Sequence, residues 1–471
     1  MNYKIFRLKD IFISFIVLLI FSIALFPLIT ASVLLTVKAS FLINIIFVVF
    51  LIYRHLLNNS VNFIHGNILI FIFLFYILAP IIQLSNNNFL WINTLPVIIN
   101  DILKANLVIL LFIISYYIFS ISFQYKSNKN QTKLRKKPSL TLLLFFLTIS
   151  SFISLLALKD VINSISLISI LNEELNSSEV VIKGKILYMI PFISLVYTSN
   201  FLKNNSKAPF YIYLIILILF IEVLICKNPL LDRRNSLGPI YLSLIVLFFF
   251  KKDKLNNISY FIFNFVVMVV MFPLSALLTH VSFEKWGEFK DGFNFGEFIK
   301  GHFTNLHYDA YPNIIATFKY VNQYDFQLGN QLLGSLLFFI PRSYWPNKPI
   351  STGELIGDYL MSFNYLWFNN ISATFVAEAW IDFGIVGIIL FSFLLSLLVK
   401  KANIYFLTDN SFHYIFGLYS TFFVFFLMRG ALLPAVAYLT GAVISILILT
   451  KYSEIFIDLI NKIKISWKTK I

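Results

Sequence analysis

A single cysteine, Cys226, leaves the chain without an internal disulfide and without any cysteine-based metal site. Charge is scarce too. Charged residues make up 13% of the 471 positions, against an apolar fraction of 59% and a mean hydropathy of +0.83. A soluble domain of this length does not have that balance; repeated apolar runs of about 18–22 residues are membrane spans. Arginine is rare, and four of the arginines, Arg233, Arg234, Arg342 and Arg429, fall in loops expected on the outer side, at or near the ends of apolar runs. The net charge of +15 is spread as lysine over short loops, so it reads as topology and contact with anionic lipid heads and not as nucleic-acid binding. Arginine differs from lysine in offering a planar fork of donors that grips phosphate with two hydrogen bonds. Outward arginines at membrane depth therefore point to an anionic, lipid-linked substrate, most simply a pyrophosphate.

Twelve spans are predicted, near 10–28, 33–53, 67–84, 101–123, 140–158, 185–202, 209–226, 238–250, 258–279, 376–399, 413–428 and 432–450. The eighth is short, and Pro27 and Lys38 interrupt the first pair. Lys4, Arg7 and Lys9 precede the first run as in a signal peptide, but no small-residue cleavage site follows, which predicts a retained first helix. An even count puts three lysine clusters (126–137, 251–254 and 400–401) on one side with the basic tail and the N-terminus. The positive-inside rule makes that side cytoplasmic. The expected class is an all-α integral protein of the cytoplasmic membrane in three stretches: 1–279 with nine spans, a large outer loop over 280–375, and 376–471 with three spans and a basic tail.

The outer loop holds Trp286, Trp345, Trp367, His302 and His307, with eight acids against six bases. Its apolar stretch Leu332 to Pro341 is too short to cross a bilayer and reads as an interfacial or re-entrant helix. Ser351 and Glu354 form an S-x-x-E capping box opening another short helix. A folded helical cap on the membrane is expected. A second outer loop, Lys159–Lys183, has Glu173, Glu174 and Glu179 beside an apolar stretch, the pattern of an amphipathic surface helix.

The most specific stretch is Phe339-Ile340-Pro341-Arg342-Ser343-Tyr344-Trp345-Pro346-Asn347-Lys348-Pro349. Its three prolines forbid a helix and fix a rigid turn. Arg342 and Lys348 on such a turn suit a phosphate, and Tyr344 and Trp345 suit a sugar face; an interfacial anchor on lipid heads is the plainer alternative. This run, led by Gly329-Asn330-Gln331-Leu332-Leu333-Gly334-Ser335 and followed by Glu378-Ala379-Trp380-Ile381-Asp382-Phe383-Gly384-Ile385-Val386-Gly387 and Arg429-Gly430, resembles the bacterial oligosaccharide repeat-unit polymerases, the Wzy or O-antigen polymerase family. The motifs lie in the last third of the chain, and the topology extends the likeness along its length.

The resemblance implies a GT-C-like membrane glycosyltransferase that needs no nucleotide sugar and moves a growing glycan from undecaprenyl pyrophosphate onto an incoming lipid-linked repeat unit. It implies membrane lipids, a Wzz-like chain-length regulator and a flippase as partners, with no nucleic acid. Such a reaction needs cations for the departing pyrophosphate and a base for the acceptor hydroxyl. Arg233, Arg234, Arg342, Lys348 and Arg429 are the candidate cations, with Asp232 an orienting partner for the arginine pair. Lipid-head snorkelling is the alternative for Arg233 and Arg234, and a helix-end cap beside Gly430 for Arg429. Glu378 is the first candidate base. It lies four residues from Asp382 on one helical face, where both could instead pair with the arginines. His302, His307 and Asp309 are the other candidates, and Glu222 is divided between a protonated core role and a functional one. The His302–His307 spacing does not fit a helical metal pair, so no metal and no cofactor is expected. The rival readings are an O-antigen ligase of the same architecture and a polysaccharide flippase or transporter. The second would put ionisable residues near span midplanes.

Overall fold

The computed structural model describes residues 2–89, 97–122, 140–165, 182–204, 209–229, 232, 234–250, 256–274, 295–363, 366–408 and 410–468. Among them all regular structure is helical. In chain order the helices are α1 (Asn2–Thr30), α2 (Leu35–Leu57), α3 (Phe63–Ser85), α4 (Ile99–Ser122), α5 (Leu140–Ile165), α6 (Ile190–Asn204), α7 (Phe210–Cys226) and α8 (Arg234–Phe249). Then follow α9 (Asn257–Leu274), α10 (Phe295–Phe303), α11 (Ala310–Tyr324), α12 (Asn330–Leu336), α13 (Thr352–Ser362), α14 (Phe375–Leu407), α15 (Ser411–Arg429) and α16 (Leu432–Lys468). Ten stretches among the described residues are long and apolar enough to cross a membrane, which is a multi-pass architecture. They coincide with ten of the predicted spans; the seventh and eighth correspond to shorter apolar helices, Phe210–Cys226 and Ser236–Phe249.

The chain forms two compact units. The first comprises Met1–Tyr125, Lys252–Lys400 and Val424–Val436. Its centre is α3, which is almost wholly buried. A π-helical turn, Ile72–Leu78, interrupts it. The Phe63 ring stacks on Tyr260 of α9 at 3.9 Å, and the Asn257 amide closes the adjoining loop by donating to the carbonyls of Asn58 and Ser60 at 2.9 Å each. Asn44 of α2 donates to the Asn106 carbonyl of α4. By contrast α1 leaves Ile11, Phe15, Leu18 and Phe26 exposed, a face suited to lipid.

The second unit comprises Lys126–Lys251, Lys401–Phe423 and Ala437–Ile471. Here α5 packs on α6 through Ser150–Ser194 and the edge-on rings of Phe146 and Tyr197, and on α7 through Ser151–Glu222. Ser445 of α16 donates to the Ile186 carbonyl at 2.8 Å, where the chain enters α6.

Between α9 and α14 the chain folds into α10–α13, all within the first unit. Ser351 accepts from the Glu354 N–H, so the capping box forms and opens α13 as its sequence predicts. The apolar stretch from Leu332 differs from expectation. Helix α12 stops at Leu336, and the rest is turn. Pro341 has no N–H to return to the preceding turn, and Lys348 takes over the orphan carbonyls by donating to Phe338 at 2.5 Å and Ile340 at 3.0 Å. The amphipathic helix expected around Glu173, Glu174 and Glu179 lies outside the described residues, as does Trp286.

Candidate functional site

Helix α14 carries both candidate carboxylates. This helix is sharply kinked at Gly384, whose φ of 56° lies in the left-handed region that glycine alone adopts without strain. The kink turns its first turns, with Glu378 and Asp382 on one face, into the short-helix layer. Asp382 accepts from the N–H groups of Gln331 and Leu332 at 3.1 and 2.8 Å, satisfying the start of α12. Glu378 is 1% exposed. One of its oxygens accepts from the Leu432 N–H at 2.6 Å, the start of α16, and the other from the Thr352 hydroxyl at 2.5 Å, the start of α13. Among the described residues neither carboxylate pairs with an arginine. The pair fixes three helix N-termini, where negative charge is favoured.

These contacts give Glu378 a structural task beside the role of base expected from the sequence, a role that needs an oxygen within reach of a substrate proton. Its effect passes through Leu432, because holding that N–H sets the short turn that carries Arg429.

Arg429 ends α15. Its terminal nitrogen donates to Asp309 Oδ1 at 3.3 Å and to the Leu306 carbonyl at 3.2 Å. Asp309 is in turn held by the Ser372 hydroxyl at 2.7 Å and the Asn313 amide at 3.1 Å. The segment 302–309 thus meets Arg429, and on it the rings of His302 and His307 lie 5.0 Å apart, with His302 buried. Phe272 sits against both imidazoles, at 5.7 and 6.2 Å. Three residues singled out from sequence, His302, His307 and Arg429, are brought together here. Asp309, the further candidate base, joins them as the partner of Arg429.

Three residues that carry no sequence signal complete the corner. Tyr308 is fully buried, stacked on Phe75 at 4.6 Å; burial pushes its hydroxyl pKa up, opposed by the Arg429 charge. The Gln83 amide pins this turn by donating to the Phe303 and Tyr308 carbonyls at 2.9 and 3.1 Å. Thr352 bridges Glu378 and Gln331. Only the four-residue spacing of Asp309 and Asn313 could have hinted at the arrangement from sequence.

The proline-rich turn is closed on itself. Arg342 is exposed and donates to the Lys348 carbonyl at 2.8 Å, while Lys348 spends its ammonium on the two carbonyls described above. Burial, helped by the neighbouring Arg342 charge, lowers the Lys348 pKa. Lys348 is therefore a clasp of the turn; Arg342 and Tyr344, 85% exposed, are the groups it presents outward, with Trp345 half-buried.

The other sequence candidates belong to the second unit. Arg233 and the Arg234 side chain lie outside the described residues; Arg234 begins α8. Lys227 is buried, donates to the Gly184 carbonyl at 2.5 Å, and has its pKa lowered by burial against the opposing pull of Asp232. Burial raises the Asp232 pKa, opposed by Lys227. Glu222 is buried and accepts from the Ser151 hydroxyl at 2.6 Å. Among the described residues no three His, Cys, Asp or Glu side chains converge to hold a metal ion.

Compared with protein-family models, characterised proteins and solved structures, the chain matches none of them. The chemistry of the site therefore has to be read from its own residues.

Proposed function

We propose that the protein is a membrane glycosyltransferase that polymerises oligosaccharide repeat units carried on undecaprenyl pyrophosphate, at the outer face of a bacterial cytoplasmic membrane. The observation that carries this reading is the corner at Arg429. A guanidinium at the end of an apolar helix is held by Asp309 beside a pair of imidazoles 5.0 Å apart. That is the minimum equipment for glycosyl transfer from a diphosphate: a cation for the leaving group and a base for the nucleophile.

In the step envisaged, the bond between the donor's anomeric carbon and the diphosphate oxygen breaks. A hydroxyl oxygen of the acceptor sugar forms the new glycosidic bond, and its proton goes to His302 or His307. The released lipid diphosphate takes the electron pair and is stabilised by Arg429. Arg342, on its own rigid turn, would serve a second phosphate, with Tyr344 and Trp345 toward sugar. The resemblance of the proline-rich run to oligosaccharide polymerases supports the same assignment. So do the contacts among its parts, since Asp382 holds the start of α12 just ahead of that run.

The direct test is deletion of the gene followed by electrophoresis of the surface glycan. Collapse of a ladder to one repeat unit on an otherwise normal carrier lipid supports a polymerase. Loss of all transferred glycan points to the ligase reading, and an unchanged ladder overturns the proposal.

A further inference from the structure

Buried polar atoms in folded proteins almost always have partners. Around the 302–309 segment three do not: the Tyr308 hydroxyl, Gln83 Oε1 and Arg429 Nε are each buried without a hydrogen-bond partner. They belong to one neighbourhood. Gln83 donates its amide to the Tyr308 carbonyl, and Arg429 donates to the carbonyl of Leu306 two residues earlier. The Tyr308 side chain is fully buried and its ring is fixed by Phe75 and Phe303, at 4.6 and 4.5 Å. A phenylalanine would satisfy that packing equally well, so packing does not account for the oxygen.

We propose that the Tyr308 hydroxyl is a second anchor, with the Arg429 Nε–H, for an oxygen of the bound lipid diphosphate. This rests on the function proposed above and extends it to a residue that the sequence did not single out. The chemistry fits. A phenol is a donor, the Arg429 charge acts on Tyr308, and an anionic oxygen can accept from the phenol and a guanidinium N–H together.

The test uses the full-length protein in lipid nanodiscs, with farnesyl diphosphate as the probe and farnesol as the uncharged control. Tyr308→Phe removes one oxygen and keeps the ring. It is expected to weaken farnesyl diphosphate binding about ten- to a hundredfold, the range for one hydrogen bond to a charged group. Farnesol binding should be unchanged. The apparent Tm without ligand should equal or exceed that of wild type, because the deleted oxygen had no partner to lose. Wild-type affinity in Tyr308→Phe together with weakened binding in Arg429→Gln would overturn the role of Tyr308 and leave the diphosphate site standing. A lowered Tm in Tyr308→Phe would also overturn it, since the hydroxyl would then be structural. If wild type does not bind the probe, or Arg429→Gln binds it normally, the diphosphate reading of the corner fails and the proposal with it.

Discussion

Glu378 separates a structural tie from a catalytic base, and two substitutions tell them apart. Glu378→Ala strands the Leu432 N–H, a buried donor, at a cost of about 1–3 kcal/mol. It also removes the stronger of two partners from Thr352, whose hydroxyl keeps only Gln331 Oε1 at 3.3 Å. The buried methylenes add a further loss of roughly 1–2 kcal/mol. Two helix starts are released together, so apparent Tm, probe binding and turnover should all fall in Glu378→Ala. Glu378→Gln behaves differently. Its amide oxygen keeps the Leu432 bond, and its NH₂ faces the Thr352 oxygen, which can turn its own proton to Gln331. The loss is then about 1 kcal/mol, the difference between charged and neutral hydrogen bonds. Most turnover should survive, measured as repeat units added per minute by the reconstituted protein alongside thermal denaturation in the same detergent. Wild-type Tm and wild-type binding with no turnover in Glu378→Gln would refute this reasoning and restore the carboxylate as the base.

The remaining expectations concern the turns and the topology. Arg429→Lys should keep the charge yet lose more than about tenfold in turnover, because an ammonium cannot hold Asp309 and a phosphate through one planar fork; full activity would reduce Arg429 to a diffuse charge. His302→Gln and His307→Gln should cut turnover steeply in one variant and little in the other while leaving diphosphate binding intact, and wild-type turnover in both would exclude either imidazole as the base. Gly334→Ala would bring a Cβ to 2.2 Å from Pro349 Cγ and should destabilise the proline-rich turn by about 1–3 kcal/mol, the usual range for overpacking; a Tm equal to wild type would contradict that contact. For topology, a cysteine at Trp367, which is 85% exposed, should be labelled by an impermeant maleimide from outside, whereas one at Lys401 should not. The native Cys226 is buried and should contribute little background.

How much was legible in the sequence depended on the range of the interaction. Apolar runs report directly on helices that face lipid or core, so each predicted span falls on a helix, while α1, α14 and α16 run on past the apolar stretch. The Ser351 cap was legible because its partner is three residues away. Helix α12 was not, because an apolar run between Leu332 and Pro341 does not reveal that Lys348 will cap the freed carbonyls. The spacing of Glu378 and Asp382 correctly put them on one face. Their partners are mostly backbone N–H groups of distant helices, which leave no mark in side-chain identity. The Arg429–Asp309 pair spans 120 residues, and composition offers no reason to join those two over any other pair.

Joining of repeat units from a lipid diphosphate through Arg429 can be measured outright. The most direct measurement incubates the purified full-length protein in nanodiscs with undecaprenyl-pyrophosphate-linked repeat units and resolves the products by gel electrophoresis. The expected product is a ladder of lipid-linked glycans that lengthens with time, is absent in Arg429→Gln, and is matched by release of undecaprenyl pyrophosphate. Starting material recovered unextended from folded wild-type protein, or an equal ladder from Arg429→Gln, would contradict it.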